Sequence, residues 1–447
     1  MPVQTIDQLK ALYRQHGVTT VYVKYLSARQ DNDKNQIYLG SGMGGVLNLF
    51  AARMLSRTLS DSRGKRRSEA GRPKLEAKID LAWMGGNGGL SPAPNARIID
   101  YFQYPEIRLS GFLSGSQAPP DALRRTQQAE YGYRILCLGS APGGQVIGYV
   151  LTAATDPVVA GFPDLPVLPA APVLRVLTID ADTGVTPFEL LRQRMAAVST
   201  AGWHASRILR AEGGAVPFRG AQGGGYTLEA LLGVRANADK APDFLGYEIK
   251  SFSGSRISLM TPTPDGGFQG QNPFRVFMDR YGHAGRADDG SLRFTGLHKV
   301  GAIASSGLVL EVAGYDETAD AFAGPDEVAV RLRHPATGEI AASWSLNRLA
   351  DCWNRKHASA AYIPCERRDA DDGYEYQYAP RIFLGEGTDV WRLLRAIHAG
   401  VVFYDPADSI YADGRAKVRS QWRINASSLL PAMQRLYANA SVVDLAA

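Results

Sequence analysis

The chain has 447 residues, of which 45% are hydrophobic and 21% charged. That is enough apolar material for two or three packed domains, and it excludes a wholly disordered or fibrous protein. Forty-nine Lys and Arg against 44 Asp and Glu leave a formal charge of +5, and no apolar run reaches the roughly 18–20 residues of a membrane-spanning helix.

The first 17 residues are polar and amphipathic, without a signal-peptide core, so a cytoplasmic protein is expected. Residues 18–26, 36–39, 79–84, 98–102, 107–113, 133–138, 146–151 and 173–179 are short runs rich in β-branched and aromatic residues. Clusters of Gly, Pro, Asn and Ser separate them, which predicts a compact antiparallel sheet or barrel. Residues 40–45 formally match the GxGxxG pattern, but no βαβ pattern follows, so nucleotide binding is not expected there.

Between Arg53 and Lys78, nine basic residues stand against three acidic ones, a local charge of +6. The centre of this stretch, Arg63, Lys65, Arg66 and Arg67, reads as an exposed loop able to meet phosphates. A solvated loop that touches nothing has the same composition. Three dispersed cysteines and seven scattered histidines suggest neither a disulfide framework nor a zinc site.

The pattern changes after a series of prolines at 157, 163, 166, 169 and 172. Thr186-Pro187-Phe188-Glu189 has the residues of a capping box, with Pro at the first helical position. Phe188, Leu191, Met195 and Val198 then recur at helical spacing. The helix is read as running towards residue 209, with Gly202 a candidate break. The boundary is placed near 182, giving a β-rich part, 1–182, and a mixed α/β part, 183–447.

The informative stretch begins at Gly223-Gly224-Gly225. A short helix over 227–232 carries Glu229, and Pro242-Asp243 and Gly246-Tyr247-Glu248-Ile249-Lys250 follow. If 247–252 is a strand, Glu248 and Lys250 project from one face. Asp243 can fold back towards Glu248 across the Gly-containing turn. Two adjacent carboxylates are costly to ionise together unless a divalent cation sits between them. Hard oxygen ligands with room for water suit Mg²⁺. Asp243 and Glu248 would hold the ion, and Lys250 would hold or help deprotonate a water attacking a phosphodiester. Glu229 is placed to supply a further carboxylate. As bare spacing, this is a loose pattern that structural turns also match.

Taken together, the glycine-rich turn, the Glu229 helix, Pro242-Asp243 and Gly-x-Glu-x-Lys resemble the active site of the MvaI/BcnI restriction endonuclease family. That family lies on the MutH-like branch of the PD-(D/E)xK nucleases. Segments 258–262 and 418–424 extend the resemblance, which covers about 185–447. It implies an α/β (α+β) restriction-endonuclease-like fold and Mg²⁺-dependent, sequence-specific cleavage of double-stranded DNA by a monomer, leaving 5′-phosphates. Asp243, Glu248 and Lys250 match the family's triad, and Glu229 its helix glutamate. A cognate methyltransferase encoded elsewhere would accompany a restriction role. Residues 21–28 more weakly resemble the start of an EcoRII-type, B3-like DNA-binding pseudobarrel.

Near the C-terminus, Arg415, Lys417, Arg419, Gln421 and Arg423 alternate, which predicts a strand with a basic face. Arg and Gln can pair with guanine and adenine edges, although a solvated basic edge strand has the same pattern. The sequence reading is a type II restriction endonuclease with an N-terminal DNA-binding or target-sensing part. Two alternatives stand beside it: a nicking or modification- or partner-dependent nuclease, and a non-catalytic DNA-binding protein.

Overall fold

The computed structural model describes residues 3–26, 36–41, 43–57, 74–101, 106–125, 128–131, 134–152, 165–168, 171–179, 186–220, 222–235, 242–285, 290–371 and 373–445. Arg63, Lys65, Arg66 and Arg67 lie outside these residues. The protein is a mixed α/β structure with many strands. Among the described residues, no helix is long and apolar enough to cross a membrane. The chain packs as two units, one of Met1–Ser251, Arg355–Ile382 and Val443–Ala447, the other of Phe252–Asn354 and Phe383–Val442.

The first unit opens with a helix, Ile6–Gln15, whose Thr5 side chain accepts a hydrogen bond from Gln8 N. Its strands are β1 (Thr20–Leu26), β2 (Gln36–Gly40), β3 (Ala52–Arg57), β4 (Lys74–Ile79), β5 (Leu81–Met84) and β6 (Leu90–Ala93). Then come β7 (Arg97–Tyr101), β8 (Glu106–Ser110), β9 (Arg134–Ser140), β10 (Val146–Thr152) and β11 (Arg175–Thr178). They form a six-stranded sheet, β11-β1-β9-β10-β5-β6, and a five-stranded sheet, β2-β8-β7-β4-β3. Pairing is antiparallel throughout the five-stranded sheet. In the six-stranded sheet only β10 and β5 run parallel. The short helix Met43–Leu47 therefore leads into an antiparallel sheet, without the βαβ unit a dinucleotide site needs.

Periodicity explains this part. Along β1, Val21 and Val23 are fully buried and alternate with partly exposed Tyr22 and Lys24. The central strand β9 is buried over six successive residues, as expected of a strand covered on both faces. Leu9 and Tyr13 of the helix join Val21, Val23, Ile135, Cys137 and Ile147 in one core. The Tyr13 hydroxyl donates to Cys137 O at 3.0 Å, so its polar end is satisfied.

Thr186 caps the helix, with Glu189 N donating to Thr186 Oγ1 at 3.1 Å, while the Glu189 carboxylate pairs with Arg192 and Gln193 instead of closing a capping box; Leu191, Met195 and Val198 are buried. That helix spans Pro187–Thr200 and does not continue to 209. Gly202, at φ +80°, reverses the chain, and a strand, Trp203–Ala205, begins. Trp203–Ala205 pairs with Gly373–Tyr378, which pairs with Ser359–Ala370; the strand Tyr247–Phe252 also pairs with Ser359–Ala370.

The glycine-rich helix starts earlier than its sequence suggests and spans Gly223–Leu231. Its first two glycines allow close packing on the strand Gly373–Tyr378. A Cβ on Gly223 would stand 2.6 Å from Ser206 Oγ and 2.7 Å from Tyr376 Oη. The Tyr378 hydroxyl donates to Gly224 O at 2.7 Å. Gly225 faces open space.

In the second unit, Trp344, Tyr404 and Trp422 pack ring against ring at the core, with centroids 4.8–5.2 Å apart. Trp422–Asn425 lies between Arg256–Met260 and Phe403–Tyr404 in a three-stranded sheet.

Two neighbouring glycine substitutions should therefore act oppositely. Gly223→Ala overpacks the helix–sheet contact and is expected to cost about 1–3 kcal/mol. Gly225→Ala restricts only the unfolded chain and should stabilise by up to about 1 kcal/mol. Urea unfolding of both variants checks the sign of each.

Candidate active site

Asp243 is brought to the active-site strand by a tight turn. Phe244 N bonds Tyr247 O at 2.9 Å, and Tyr247 N bonds Phe244 O at 2.8 Å. Between them Leu245 (φ 47°) and Gly246 (φ 93°) both lie in the left-handed region. Two successive positive φ angles define the primed hairpin turn, which glycine tolerates and leucine adopts at a cost. The chain then doubles back, and Asp243 Oδ2 accepts a hydrogen bond from Ile249 N at 3.0 Å.

On the strand Tyr247–Phe252, Glu248 and Lys250 share a face. Lys250 Nζ donates to Glu248 Oε1 at 2.5 Å. The Glu248 side chain is only 1% exposed, whereas those of Lys250 and Asp243 are 20% and 17% exposed. The buried carboxylate thus sits behind two groups that solvent or a ligand can reach.

A third element completes the cluster. Lys356, in the last turn of the helix Leu346–His357, places Nζ 2.9 Å from Glu248 Oε2 and 3.4 Å from Asp243 Oδ1. One ammonium therefore lies between the two carboxylates. Nothing in the sequence near residue 250 points to it. Its only local signal is the run Arg355-Lys356-His357, basic residues where a helix C-terminus favours positive charge.

Electrostatics follow from this packing. Burial raises the Glu248 carboxyl above its ordinary value, Asp243 adds to the rise, and Lys250 and Lys356 oppose it. Burial pulls Lys356 down, but the Glu248 and Asp243 carboxylates outweigh it and leave the ammonium raised. Glu229, on the helix Gly223–Leu231, is pushed up to about 7 by burial and by Asp243, against the pull of Lys250.

These residues fit a divalent cation as a two-carboxylate set. Asp243 Oδ1 and Glu248 Oε2 already converge on one cationic atom. Glu248 Oε2 is buried and, despite the nearby ammonium, has no aligned hydrogen-bond donor. Among the described residues, no three His, Cys, Asp or Glu side chains converge closely enough to hold a metal. Glu229 is an electrostatic neighbour of this pair, raised by Asp243 and lowered by Lys250. Mg²⁺ suits such a pair because it commonly keeps several waters and takes one or two carboxylates.

The same helix end makes a second contact. Arg355 Nη1 donates to Ser140 Oγ, at the end of β9, at 3.0 Å. Adjacent residues thus reach the Asp243 and Glu248 carboxylates and the six-stranded sheet.

The predicted DNA-reading strand takes another form. Ala416–Lys417 pairs with Ala407–Ile410, whereas Trp422–Asn425 belongs to a different sheet. Residues 418–421 cross between the sheets, so Arg415, Arg419, Gln421 and Arg423 do not share one strand face. The crossing is fixed through backbone groups, with Arg419 N donating to Asp408 Oδ1 at 2.6 Å and Asp405 N donating to Gln421 O at 2.8 Å. Arg415 is 77% exposed and paired with Asp413. The Arg423 guanidinium bonds Asp405 Oδ2 at 2.9 Å and Ser258 Oγ at 3.1 Å. Arg256 shares that carboxylate at 2.7 Å.

A sequence profile of the MvaI/BcnI restriction endonuclease family matches residues 192–432, more than half of the chain. Among solved structures, similarity extends to the complex of restriction endonuclease MvaI with its cognate DNA substrate. That likeness has 20% identity and a TM-score of 0.44, over 58% of this chain and 99% of the other. MvaI without DNA is similar at 19% identity and a TM-score of 0.32, over 59% and 100%. No curated protein sequence matches. The profile match spans Glu229, Asp243, Glu248, Lys250 and Lys356, and the chain belongs to the MvaI/BcnI restriction endonuclease family, as a type II restriction enzyme.

Proposed function

We propose that the protein hydrolyses phosphodiesters of double-stranded DNA at a specific sequence, with Mg²⁺, leaving 5′-phosphates. The observation that carries this reading is the convergence of Asp243 and Glu248 on a single cationic position, with Lys250 bonded to the same glutamate. Asp243 and Glu248 would hold the ion, which supplies Lewis-acid polarisation and charge neutralisation at the phosphate.

The chain's own groups divide the remaining work. Lys250, partly exposed beside buried Glu248, orients the attacking water and offsets the charge that develops on the phosphoryl oxygens. Ile249 N–H fixes Asp243 Oδ2, which leaves Oδ1 directed at the cation position. Glu229, raised to about 7 by burial and so only partly ionised near pH 7, limits the negative charge that a phosphodiester meets on entry.

Residues 1–182 form the DNA-binding or target-sensing part of this reading. Their two sheets and the basic composition of 53–78 support it, and the weak likeness to a B3-like pseudobarrel points the same way. Action as a monomer, and a companion methyltransferase encoded elsewhere, complete the restriction reading. One observation favours a gated form of the same activity, in which residues 1–182 sense a modified base or a partner: the Ser140–Arg355 hydrogen bond lies one residue from Lys356.

Digestion of unmodified DNA tests the chemistry. Wild-type protein with Mg²⁺ should give discrete fragments with 5′-phosphate ends. Asp243→Ala and Lys250→Ala should each lower the rate by about 100-fold or more, while binding in Ca²⁺ is kept. Wild-type rates in either variant would overturn the assignment of roles.

A second expectation concerns Glu229. Its carboxyl holds a proton in the folded chain up to about pH 7, against an ordinary value of 4.5. Between those values the folded state binds more protons than the unfolded state, so stability falls as pH rises through the window. In metal-free buffer, wild type should lose stability relative to Glu229→Gln from pH 4.5 to 7, as read by urea unfolding.

A further inference from the structure

The five-stranded sheet presents its two faces very differently. On one face, the cross-strand row Ile37, Leu109, Ile98, Ala77 and Met54 is apolar and at most 3% exposed. Successive residues of a strand alternate between faces, so the adjacent row lies on the opposite side. That row reads Gln36 on β2, Ser110 on β8, Arg97 on β7, Lys78 on β4 and Arg53 on β3. Three basic side chains stand directly opposite one another on three neighbouring strands, beside two neutral polar ones, and the row contains no acidic residue.

Exposure follows the charge. Arg53 and Lys78 are exposed, and the Arg97 side chain is 35% exposed with Glu76 Oε2 3.7 Å from its Nε. Like charges directly opposite one another destabilise a sheet. A row of three is therefore unfavourable in isolation and becomes favourable when an anion lies across it.

We infer that this face of the five-stranded sheet, through Arg53, Lys78 and Arg97, binds the phosphate backbone of duplex DNA. Neighbouring strands lie about 4.8 Å apart, so the row spans roughly 10 Å from Arg53 to Arg97. That length corresponds to about three nucleotides of one DNA strand at 3.4 Å each. The contacts would position the duplex without reading bases, since phosphate contacts carry no direct sequence information. Ser110 and Gln36 extend the same row with neutral hydrogen-bonding groups. The choice of DNA over another polyanion rests on the endonuclease reading, whereas the charged row itself does not.

The test is a salt titration of the full chain binding a fluorescent duplex of arbitrary sequence, in Ca²⁺, from about 50 to 200 mM salt. The double variant Arg53→Gln/Lys78→Gln removes two phosphate contacts. Its plot of log affinity against log salt should be shallower by about 2 than that of wild type. The charge-preserving pair Arg53→Lys/Lys78→Arg should keep the wild-type slope, which separates charge from any effect on folding. An unchanged slope in the glutamine variant, or an equal fall in the charge-preserving one, overturns the proposal. A shallower slope in a chain that never cleaves DNA would remove the nuclease reading and leave this surface standing. Cleavage with an unchanged slope would do the reverse.

Discussion

Two carboxylates, one almost wholly buried, share a single cation. The ammonium of Lys356 lies within 3.4 Å of Asp243 and 2.9 Å of Glu248. Glu248 is 1% exposed, and a buried ionised carboxylate without a partner is strongly disfavoured. The surrounding architecture meets that requirement. A primed turn doubles the chain back so that Asp243 reaches the strand, strand periodicity puts Lys250 beside Glu248, and a helix end delivers Lys356. Each device is local, and each ends within a few ångströms of the same point.

The helix Leu346–His357 also gives the Asp243–Glu248 pair a connection to the β-rich part of its unit. Arg355 is bonded to Ser140 at the end of β9, and Lys356, the next residue, reaches the carboxylates. The six-stranded sheet thus meets this helix one residue from Lys356, while the five-stranded sheet carries the exposed basic row.

Much of the site is legible in the sequence because its signals are short-range. Asp243, Glu248 and Lys250 lie within eight positions, and strand periodicity and turn chemistry fix their relation. The Thr186 helix cap is likewise contained within four residues. Lys356 was not legible, because its approach depends on long-range packing that no local spacing encodes. The low helix propensity of glycine predicts a helix starting at 227, and packing against Tyr376 and Tyr378 outweighs that preference. The alternation of Arg415, Arg419, Gln421 and Arg423 was misleading for the opposite reason. Its period is that of a strand, but Asp405 and Asp408 capture the backbone of 419–421 and turn the chain from one sheet to another. The cross-strand row Arg53–Lys78–Arg97 needs pairing register, which composition reports only as a basic segment.

The central claim is that one cation must lie between Asp243 and Glu248, a lysine in the metal-free chain and a divalent ion in the working enzyme. Thermal unfolding of wild type and Lys356→Met, with and without Mg²⁺ at matched ionic strength, tests it most directly. Anything that binds the folded state alone stabilises it by mass action. Without metal, the variant should melt below wild type, because Glu248 keeps only Lys250 and the cation shared with Asp243 is lost. Mg²⁺ should then stabilise the variant more than wild type and narrow the gap. An identical Mg²⁺ shift in both proteins would contradict the account.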